Sequence, residues 1–470
     1  MELVFDDPGA TVPKLHFTTS ELAERNTGLS SREFSGSPGS VVVLREVGRV
    51  TVWAGLGGSA GVEEDSLRRA SGAAARKLAA SGWRSLHVDA GIFGCYARAI
   101  VEGAAIGAYH FNSYKSGERE ETGLERIALT GLDEQERLLA KEGAAMAGVL
   151  NRVRDLGNTP PNIMTPAAVA VAAEEYVRRT GASLRVWDEC DLGMEGFGGI
   201  LAVGSGSANP PRFIVLEREV DPAWPTVAIV GKTITFDSGG ISIKTAKGMD
   251  EEKLDKMGGL AALGILEAVT LLKIPVNLIV ALCAAENMPG NNACRPSDVI
   301  TTYGGTTVEI IDTDAEGRIV LADGLAYVDR HFSPNLTIDI ATLTGACCVA
   351  LGMERAGLFT ADDELAEAFC SAGKASGDKC WRLPLGEEFS KDMESRSADL
   401  RNLGSNRWGG ASKAAAFLEH FKGECSWVHL DIAGSGMPDS DLPHMERGAT
   451  GAGVRLVAEA LRGLYGRLEQ

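Results

Sequence analysis

Acidic and basic side chains gather in three short segments in the second half of the chain. These segments are KTITFDSGGISIK (232–244), MDEEKLDKMGG (249–259) and DTDAEGR (312–318). In the first, apolar and β-branched residues precede the charges and Ser-Gly-Gly follows them, a pattern typical of a buried strand that ends in a tight turn. An ionised side chain at such a place needs an ion pair or a bound metal, because burying it alone costs several kcal/mol or more.

Four carboxylates in these segments would form a metal site if they converged: Asp237, Asp255, Asp314 and Glu316. Two divalent cations would neutralise their four negative charges, and oxygen-rich sites suit Mn, Mg or Zn. Asp314 and Glu316 are two residues apart, so on an extended chain both side chains would point to one face. An Asp at a strand end is, however, also common as a helix cap or turn residue. Composition and spacing leave both interpretations open.

The elements around these segments predict where the charged side chains lie. Strands are predicted at 226–231, 277–283, 307–311 and 336–342, and they alternate with helices predicted at 249–272 and 318–331. Such alternation indicates an α/β fold with a mixed or mainly parallel sheet flanked by helices. Ligands of these sheets bind at the carboxyl ends of the strands, where the three charged segments begin.

The first part of the chain predicts a second α/β domain. A strand is expected at 41–53 and another at 85–91, with helices at 64–80 and 97–109, and a further helix follows at 134–156. A chain of 470 residues exceeds what one ordinary core supports. We therefore expect an N-terminal α/β domain at 1–145 and a catalytic C-terminal domain at 146–470.

Composition argues against several classes of function. The net charge of −18 repels phosphate backbones and anionic lipid surfaces, so nucleic acid is not expected as a partner. No apolar run reaches the roughly 18 residues of a membrane-spanning helix, and the amino terminus carries early acids in place of a signal pattern. The nine cysteines form no CxxC pair. A cytoplasmic protein without a thiolate metal site is expected.

Longer stretches around the charged segments resemble a known family. GKTITFDSGGISIK, DTDAEGRIVLADGLAY and DIATLTGACCVALG closely resemble the signature blocks of the leucyl (cytosol) aminopeptidase family. RDLGNTPPNIMTP, ENMPG and HLDIAGSG fit the flanking blocks, so the resemblance covers roughly residues 145 to 465 well and the first 140 weakly. It implies a metal-dependent exopeptidase that releases N-terminal amino acids from peptides by a two-metal-activated water, with a macro-like N-terminal domain.

The resemblance also implies a set of metal ligands. Asp237 and Glu316 look like carboxylates that bridge two divalent ions (Zn, Mn or Co), while Asp314 completes one site and Lys232 with Asp255 completes the other. Lys232 would bind as a neutral amine, since two adjacent cations lower the pKa of an ammonium group.

Two further residues look catalytic by the same resemblance. Lys244 is expected to remain cationic and to stabilise the oxyanion of the reaction. Arg318 would hold a bicarbonate ion that serves as general base, because the guanidinium group grips such an anion with two hydrogen bonds.

Substrate contacts follow from the resemblance as well. Thr342, Leu343, Gly345 and Ala433 are similar to residues that bind the substrate in the family. Glu252 stands where an apolar residue lining the pocket for the first side chain is common. A carboxylate there would favour basic or polar first residues, whereas the alternative is a solvated glutamate on a helix face.

The resemblance implies a homohexamer, and it leaves a rival function to consider. Some relatives bind DNA, and a member of the family could also be a catalytically silent scaffold. Retention of the seven expected metal and catalytic residues opposes a silent scaffold, and the charge of −18 opposes DNA binding.

Overall fold

The computed structural model describes residues 1–9, 11–59, 62–116 and 123–466, which form two compact units. The first unit consists of residues 1–152 together with 375–377 and 439–447. The second begins at residue 153 and contains the remaining described residues.

The first unit contains a six-stranded sheet, four α-helices and a 3-10 helix (Gly91–Tyr96) in its described residues. In chain order the elements are β1 (Glu2–Val4), β2 (Lys14–Thr18), α1 (Ala23–Thr27), β3 (Val41–Glu46), β4 (Arg49–Gly55), α2 (Glu64–Ala79), β5 (Ser85–Asp89), α3 (Ala97–Gly107), β6 (Arg126–Thr130) and α4 (Glu134–Asn158), which continues into the second unit. The strand order is β1-β6-β5-β2-β4-β3, and β3 alone runs antiparallel to its neighbour. The prediction of a single strand at 41–53 was therefore wrong. These residues form a hairpin of β3 and β4, because Gly48 adopts a φ of 75° that reverses the chain.

The second unit is built on an eight-stranded sheet. Its elements are α5 (Pro166–Thr180), β7 (Ser183–Trp187), α6 (Glu189–Glu195), α7 (Gly198–Gly204), β8 (Arg212–Arg218), β9 (Thr226–Asp237), a 3-10 helix (Met249–Leu254), α8 (Met257–Leu271), β10 (Asn277–Asn287), β11 (Val299–Thr301), β12 (Thr307–Glu309), α9 (Gly317–Phe332), β13 (Leu336–Ala341), α10 (Gly345–Leu351), β14 (Ala356–Phe359), α11 (Asp363–Ser376), β15 (Cys380–Arg382), α12 (Glu387–Lys391), β16 (Leu400–Arg401), α13 (Gly410–Glu419), β17 (Ser426–Asp431), α14 (Ala433–Gly436) and α15 (Val454–Tyr465).

The order of this sheet is β15-β14-β17-β13-β9-β10-β8-β7. Its central strands β17, β13, β9 and β10 are parallel to one another, whereas β8 and β7 on one side and the β14–β17 pairing on the other are antiparallel. The predicted fold class, two α/β domains with mixed sheets and flanking helices, is confirmed. A small sheet of β11, β12 and β16 lies apart from it.

The prediction of a continuous helix at 249–272 was wrong, because the helical conformation is interrupted at Asp255. A 3-10 helix ends at Leu254, and α8 starts at Met257. The start of α8 packs directly on the sheet backbone, since a Cβ atom on Gly258 would lie 2.1 Å from the carbonyl oxygen of Ile340. This close packing leaves Asp255 between the two helical segments, at the edge of the sheet.

A membrane-spanning helix was not expected, and the described helices include none that is long and apolar enough to cross a bilayer.

Candidate metal centre

The second half of β9 supplies the first two charged side chains of the site, Lys232 and Asp237, both buried. Asp237 Oδ1 accepts hydrogen bonds from the Gly239 backbone N–H at 2.9 Å and from Asn287 Nδ2 at 2.8 Å. Gly239 and Gly240 have φ values of 86° and 66°, which glycine adopts without strain. The Ser-Gly-Gly turn thus fixes the Asp237 carboxylate at the carboxyl end of its strand.

Lys232 lies between two carboxylates that come from different elements. Its Nζ is 2.8 Å from Asp255 Oδ1 and 2.8 Å from Glu316 Oε1, and it donates to the Thr342 carbonyl oxygen at 2.8 Å. Asp255 Oδ1 also accepts a hydrogen bond from the Thr342 hydroxyl at 2.7 Å. Asp255 Oδ2 is buried and finds no hydrogen-bond partner within the described residues. One buried carboxylate oxygen is therefore available to a further ligand.

Lys244 gathers a second group of carboxylates. Its Nζ is 2.7 Å from Asp314 Oδ1, 2.9 Å from Asp237 Oδ2 and 3.7 Å from Glu252 Oε1. Glu252 belongs to the 3-10 helix and is only partly exposed, so its side chain does not lie on a solvated helix face. Asp237 thus stands between the Lys232 group and the Lys244 group.

Asp314 and Glu316 do not lie on an extended chain, so their spacing of two residues does not by itself place them on one face. Asp314 lies in a turn, and Glu316 has helical φ and ψ of −78° and −34° as the N-cap of α9. The turn forms because Asp312 Oδ1 accepts the Asp314 backbone N–H at 2.9 Å, while Asn402 Nδ2 donates to the Asp312 carbonyl oxygen at 2.6 Å. Both carboxylates nevertheless face the same cavity.

Burial and the closely spaced charges raise the pKa values of Lys232, Asp255 and Glu316. Burial, and after it the Asp237 carboxylate, raises the pKa of Glu316 to about 7 even though Lys232 and Lys244 act in the opposite sense. Burial also raises the pKa of Asp255 well above its ordinary value. For Lys232, burial opposes the ammonium form, but the neighbouring carboxylates outweigh it and raise the pKa. The chain alone therefore holds Lys232 protonated.

These residues fit divalent cations. One carboxylate oxygen from each of Asp237, Asp255 and Glu316 lies within 4.8 Å of the others, close enough to share an ion. The donors are carboxylate oxygens and an amine, which suits hard or borderline divalent metals better than soft ones. The unpartnered Asp255 Oδ2 fits a positively charged ligand.

Arg318, in the first turn of α9, is buried beside this centre. Its Nη1 donates to the Asn402 carbonyl oxygen at 2.8 Å, while its Nε has no hydrogen-bond partner in the described structure. Burial lowers the pKa of Arg318 to about 10. A buried guanidinium group with free donors is able to bind an anion.

A backbone edge after β13 forms another wall, and Asp431 at the end of β17 holds it in place. Asp431 Oδ1 accepts the backbone N–H groups of Leu343 and Ala433, each at 3.1 Å. Asp431 Oδ2 accepts the Thr344 hydroxyl at 2.6 Å. The carboxylate thus ties the loop before α10 to the loop before α14.

All twelve predicted site residues line one cavity of about 460 Å³. They are Lys232, Asp237, Lys244, Glu252, Asp255, Asp314, Glu316, Arg318, Thr342, Leu343, Gly345 and Ala433. Sequence reasoning missed several polar residues that line it or hold its walls, namely Asn287, Asn402, Arg407, Lys413 and Asp431. Asp431 lies inside the HLDIAGSG block and could have been predicted from the resemblance. Asn402 and Arg407 lie in a loop outside the blocks that resemble the family.

His429 is fully buried, and its Nδ1 lies 2.5 Å from Asp339 Oδ1, while its Nε2 has no hydrogen-bond partner within the described residues.

Family models match both parts of the chain. The model described as the cytosol aminopeptidase family, catalytic domain, matches residues 151–458, and the model of the N-terminal domain of the same family matches residues 10–118.

Curated proteins and solved structures agree with these matches. The chain is 41% identical over 449 residues to a probable cytosol aminopeptidase of Geobacter sulfurreducens, which covers 92% of this chain and 90% of the relative. Among solved structures, a cytosol aminopeptidase from Coxiella burnetii is similar with a TM-score of 0.85 and 30% identity, covering 98% of this chain and 99% of that one. The bottromycin maturation enzyme BotP in complex with Mn is similar with a TM-score of 0.86 and 34% identity, covering 97% and 100%.

Proposed function

The chain belongs to the cytosol aminopeptidase family and is a peptidase, and from this premise we propose that it releases N-terminal amino acids with two divalent metal ions. One observation carries the proposal: twelve residues from separate elements line a single cavity in which three carboxylates stand within 4.8 Å of one another. Zn, Mn and Co are the candidate metals, and the complex of the similar BotP with Mn supports a metal of this class.

In the proposed site, Asp237 and Glu316 would serve both ions, Asp314 would complete the ligands of one ion, and Lys232 with Asp255 would complete those of the other. When bound, the ions would supply a water nucleophile near neutral pH, polarise the scissile carbonyl and anchor the α-amine of the substrate. Lys232 must give up its proton to take this role, since its pKa is raised by the carboxylates around it.

Lys244 and Arg318 act on the reacting groups in this proposal. Lys244 carries a positive charge, because Asp237, Asp314 and Glu252 keep its ammonium form against the effect of burial, and this charge would stabilise the oxyanion. Arg318 would hold bicarbonate with its unpartnered Nε, and the bicarbonate would accept the proton of the water.

The substrate would lie along the wall made by Thr342, Leu343, Gly345 and Ala433. These residues line the cavity, and the Asp431 carboxylate holds the Leu343 backbone in place by accepting its N–H, so a peptide in extended conformation would lie beside a fixed backbone segment. Glu252 would face the first side chain of the substrate and favour Lys or Arg there, since it lines the same cavity.

The domain organisation, the location in the cell and the oligomeric state complete the proposal. Residues 1–145 are proposed as a macro-like N-terminal domain and 146–470 as the catalytic domain, whose last four residues lie outside the described structure. We also propose a cytoplasmic homohexamer. DNA binding is the rival function, and the charge of −18 opposes it.

Metal dependence and the need for a free α-amine test the proposal together. A chelated, dialysed sample should lose hydrolysis of leucyl peptides, and Mn, Co or Zn should restore it. The matched substrate is the same peptide acetylated at its amino terminus, which should not be cleaved. Full activity without metal, or equal cleavage of the acetylated peptide, would refute the proposal.

A further inference from the structure

The loop between β16 and α13 contributes an arginine to the active-site cavity that the proposed mechanism does not use. Arg407 lines the cavity together with Leu403, Gly404 and Asn406 of the same loop. The Arg407 guanidinium carbon lies 4.4 Å from the centre of the Trp408 ring, so the two planar groups stack. The stacking limits the orientations of the guanidinium group at the rim of the cavity.

The loop that carries Arg407 is tied down by its own hydrogen bonds. Lys413 Nζ donates to the Asn406 carbonyl oxygen at 3.1 Å and to Asn406 Oδ1 at 3.0 Å, and it pairs with Asp392 Oδ2 at 2.6 Å. Asp392 in turn accepts the Ser405 backbone N–H. Because Lys413 is buried and Asn406 is held on two atoms, the chain position of Arg407 is fixed before any substrate binds.

Arg407 differs from the other cations of the cavity in having neither an ion pair nor a hydrogen bond within the described residues. Lys232 and Lys244 pair with the metal-site carboxylates, Lys413 pairs with Asp392, and Arg318 donates to a backbone carbonyl. A cation that lines a substrate cavity and lacks a partner is suited to an anionic group of the substrate.

The size of the cavity limits where that anionic group lies in a peptide. A sphere of the cavity's volume of about 460 Å³ is roughly 10 Å across, the length of about three residues in extended conformation. A peptide whose α-amine lies among the carboxylates of Asp237, Asp255 and Glu316 would therefore bring its second or third residue to the rim. In a peptide of that length, the group found there is the terminal carboxylate.

We propose that Arg407 binds the free C-terminal carboxylate of di- and tripeptides, which makes short peptides the preferred substrates of this site. The inference rests on the proposed function, because it needs the peptide's amine at the metal centre. The fixed loop and the stacked guanidinium group present two N–H donors to a carboxylate, the arrangement that arginine forms better than lysine. Arg407 is thus a specificity-determining residue and not a catalytic one.

The test compares leucyl-glycyl-glycine with its C-terminal amide on the Mn-loaded full chain. The wild-type protein should show kcat/KM about fivefold higher for the acid, as one partly solvated charge pair would give. Arg407→Gln should bring the ratio of acid to amide close to one, and Arg407→Lys should keep part of the preference. Arg396→Gln is the matched control, since Arg396 is exposed and lies outside the cavity lining, and it should keep the wild-type ratio.

Salt gives a second readout that a merely structural role would not change. Raising the ionic strength should lower the acid-to-amide ratio of the wild-type protein and leave that of Arg407→Gln unaffected, because screening weakens only the charge pair. A wild-type ratio near one, or an unchanged ratio in Arg407→Gln, would overturn the inference while leaving the proposed function intact. If neither peptide nor any other free-amine peptide were hydrolysed, the proposed function would fall and this inference with it.

Discussion

Lys232 and Lys244 place positive charge among the carboxylates that are proposed to bind metal. Each ammonium group lies within 2.9 Å of two carboxylate oxygens, so the buried negative charges of Asp237, Asp255 and Glu316 are compensated by the chain itself. Metal ions and protons therefore compete for the same oxygen and nitrogen atoms. The outcome of that competition depends on pH.

Metal affinity should rise with pH across neutrality. The folded-state pKa of Glu316 is raised to about 7 from an ordinary 4.5, so below pH 7 a proton occupies the carboxylate that the metal needs, and above it the carboxylate is free. The raised pKa of Lys232 adds a second proton to be released. Calorimetric titration of the metal-free protein with Mn²⁺ at pH 6, 7 and 8, in buffers of different ionisation enthalpy, should show tighter binding and net proton release. Affinity that is constant over this range would contradict the competition.

Lys244 should contribute more to catalysis than to metal content. Lys244→Ala is expected to lower kcat by roughly a hundredfold, the scale of a lost oxyanion contact. Lys247→Ala is the control, since Lys247 is exposed in the same loop and does not line the cavity. Measuring the metal content of both variants distinguishes a catalytic role of Lys244 from a structural one. If Lys244→Ala lost metal in proportion to its loss of kcat, Lys244 would be a structural residue of the metal site.

Glu252 should set the preference for the first residue of the substrate. Replacing it by Met removes a half-buried carboxylate from the cavity, so the ratio of kcat/KM for Leu over Arg substrates should rise about tenfold, equivalent to one to two kcal/mol. Glu251→Met is the control, because Glu251 belongs to the same 3-10 helix but does not line the cavity. An unchanged ratio in Glu252→Met would mean that the carboxylate serves only Lys244, 3.7 Å away.

At the scale of elements, the position of Asp255 depends on how closely α8 packs on the sheet. A Cβ atom on Gly258 would meet the Ile340 carbonyl oxygen, and one on Gly259 would lie 1.9 Å from Thr233 Oγ1. The two glycines let the helix start against β13 and β9, and the chain before them turns back to bring Asp255 to Lys232. The site is thus held by a contact between backbones as much as by ion pairs.

Gly258→Ala should therefore damage both stability and the site. We expect a loss of about 2 kcal/mol or more in the free energy of unfolding, as overpacking against a backbone atom gives, together with weaker metal binding. Gly463→Ala in α15 is the matched helical control, because a Cβ atom there meets nothing within 4 Å, and it should be neutral or stabilising by up to about 1 kcal/mol. Urea unfolding curves of both variants test the contrast. Equal stabilities would show that α8 can move away from the sheet without cost.

The same elements show which parts of the site could be predicted from sequence. Lys232, Asp237 and Glu316 stand in unbroken motifs at the ends of strands or the start of a helix, and strand periodicity places such residues at one edge of the sheet. The orientation of Glu252 could not be predicted, since the break before α8 interrupts the helical period that decides which face a residue occupies. Arg407 and Asn402 come from a segment rich in Gly, Ser and Asn, and such a composition predicts a loop without showing which cavity the loop borders.

At the scale of the whole molecule, the charge of −18 governs the encounter with other macromolecules. The two α/β units together carry 64 acidic against 46 basic side chains, which disfavours contact with phosphate backbones. Charge at this scale opposes the DNA-binding rival.

The DNA-binding rival is tested by an electrophoretic mobility assay. At roughly 150 mM salt the protein should leave duplex DNA unshifted even at about 100 µM, the upper end of the range in which non-specific binders associate. A shift at low micromolar protein that weakens steeply with salt would revive the rival function. Lysozyme, a basic protein of smaller size, serves as the positive control.

The lysines that neutralise the carboxylates also bear on when the enzyme is completed during its biogenesis. Lys232 pairs with Asp255 and Glu316, and Lys244 pairs with Asp237 and Asp314, so the chain supplies positive charges of its own beside the carboxylates. We therefore expect the chain to fold before metal binds, and the supply of metals in the cell to select among the ions. Preparations from media of different metal content would accordingly share one fold and differ in the ions they carry.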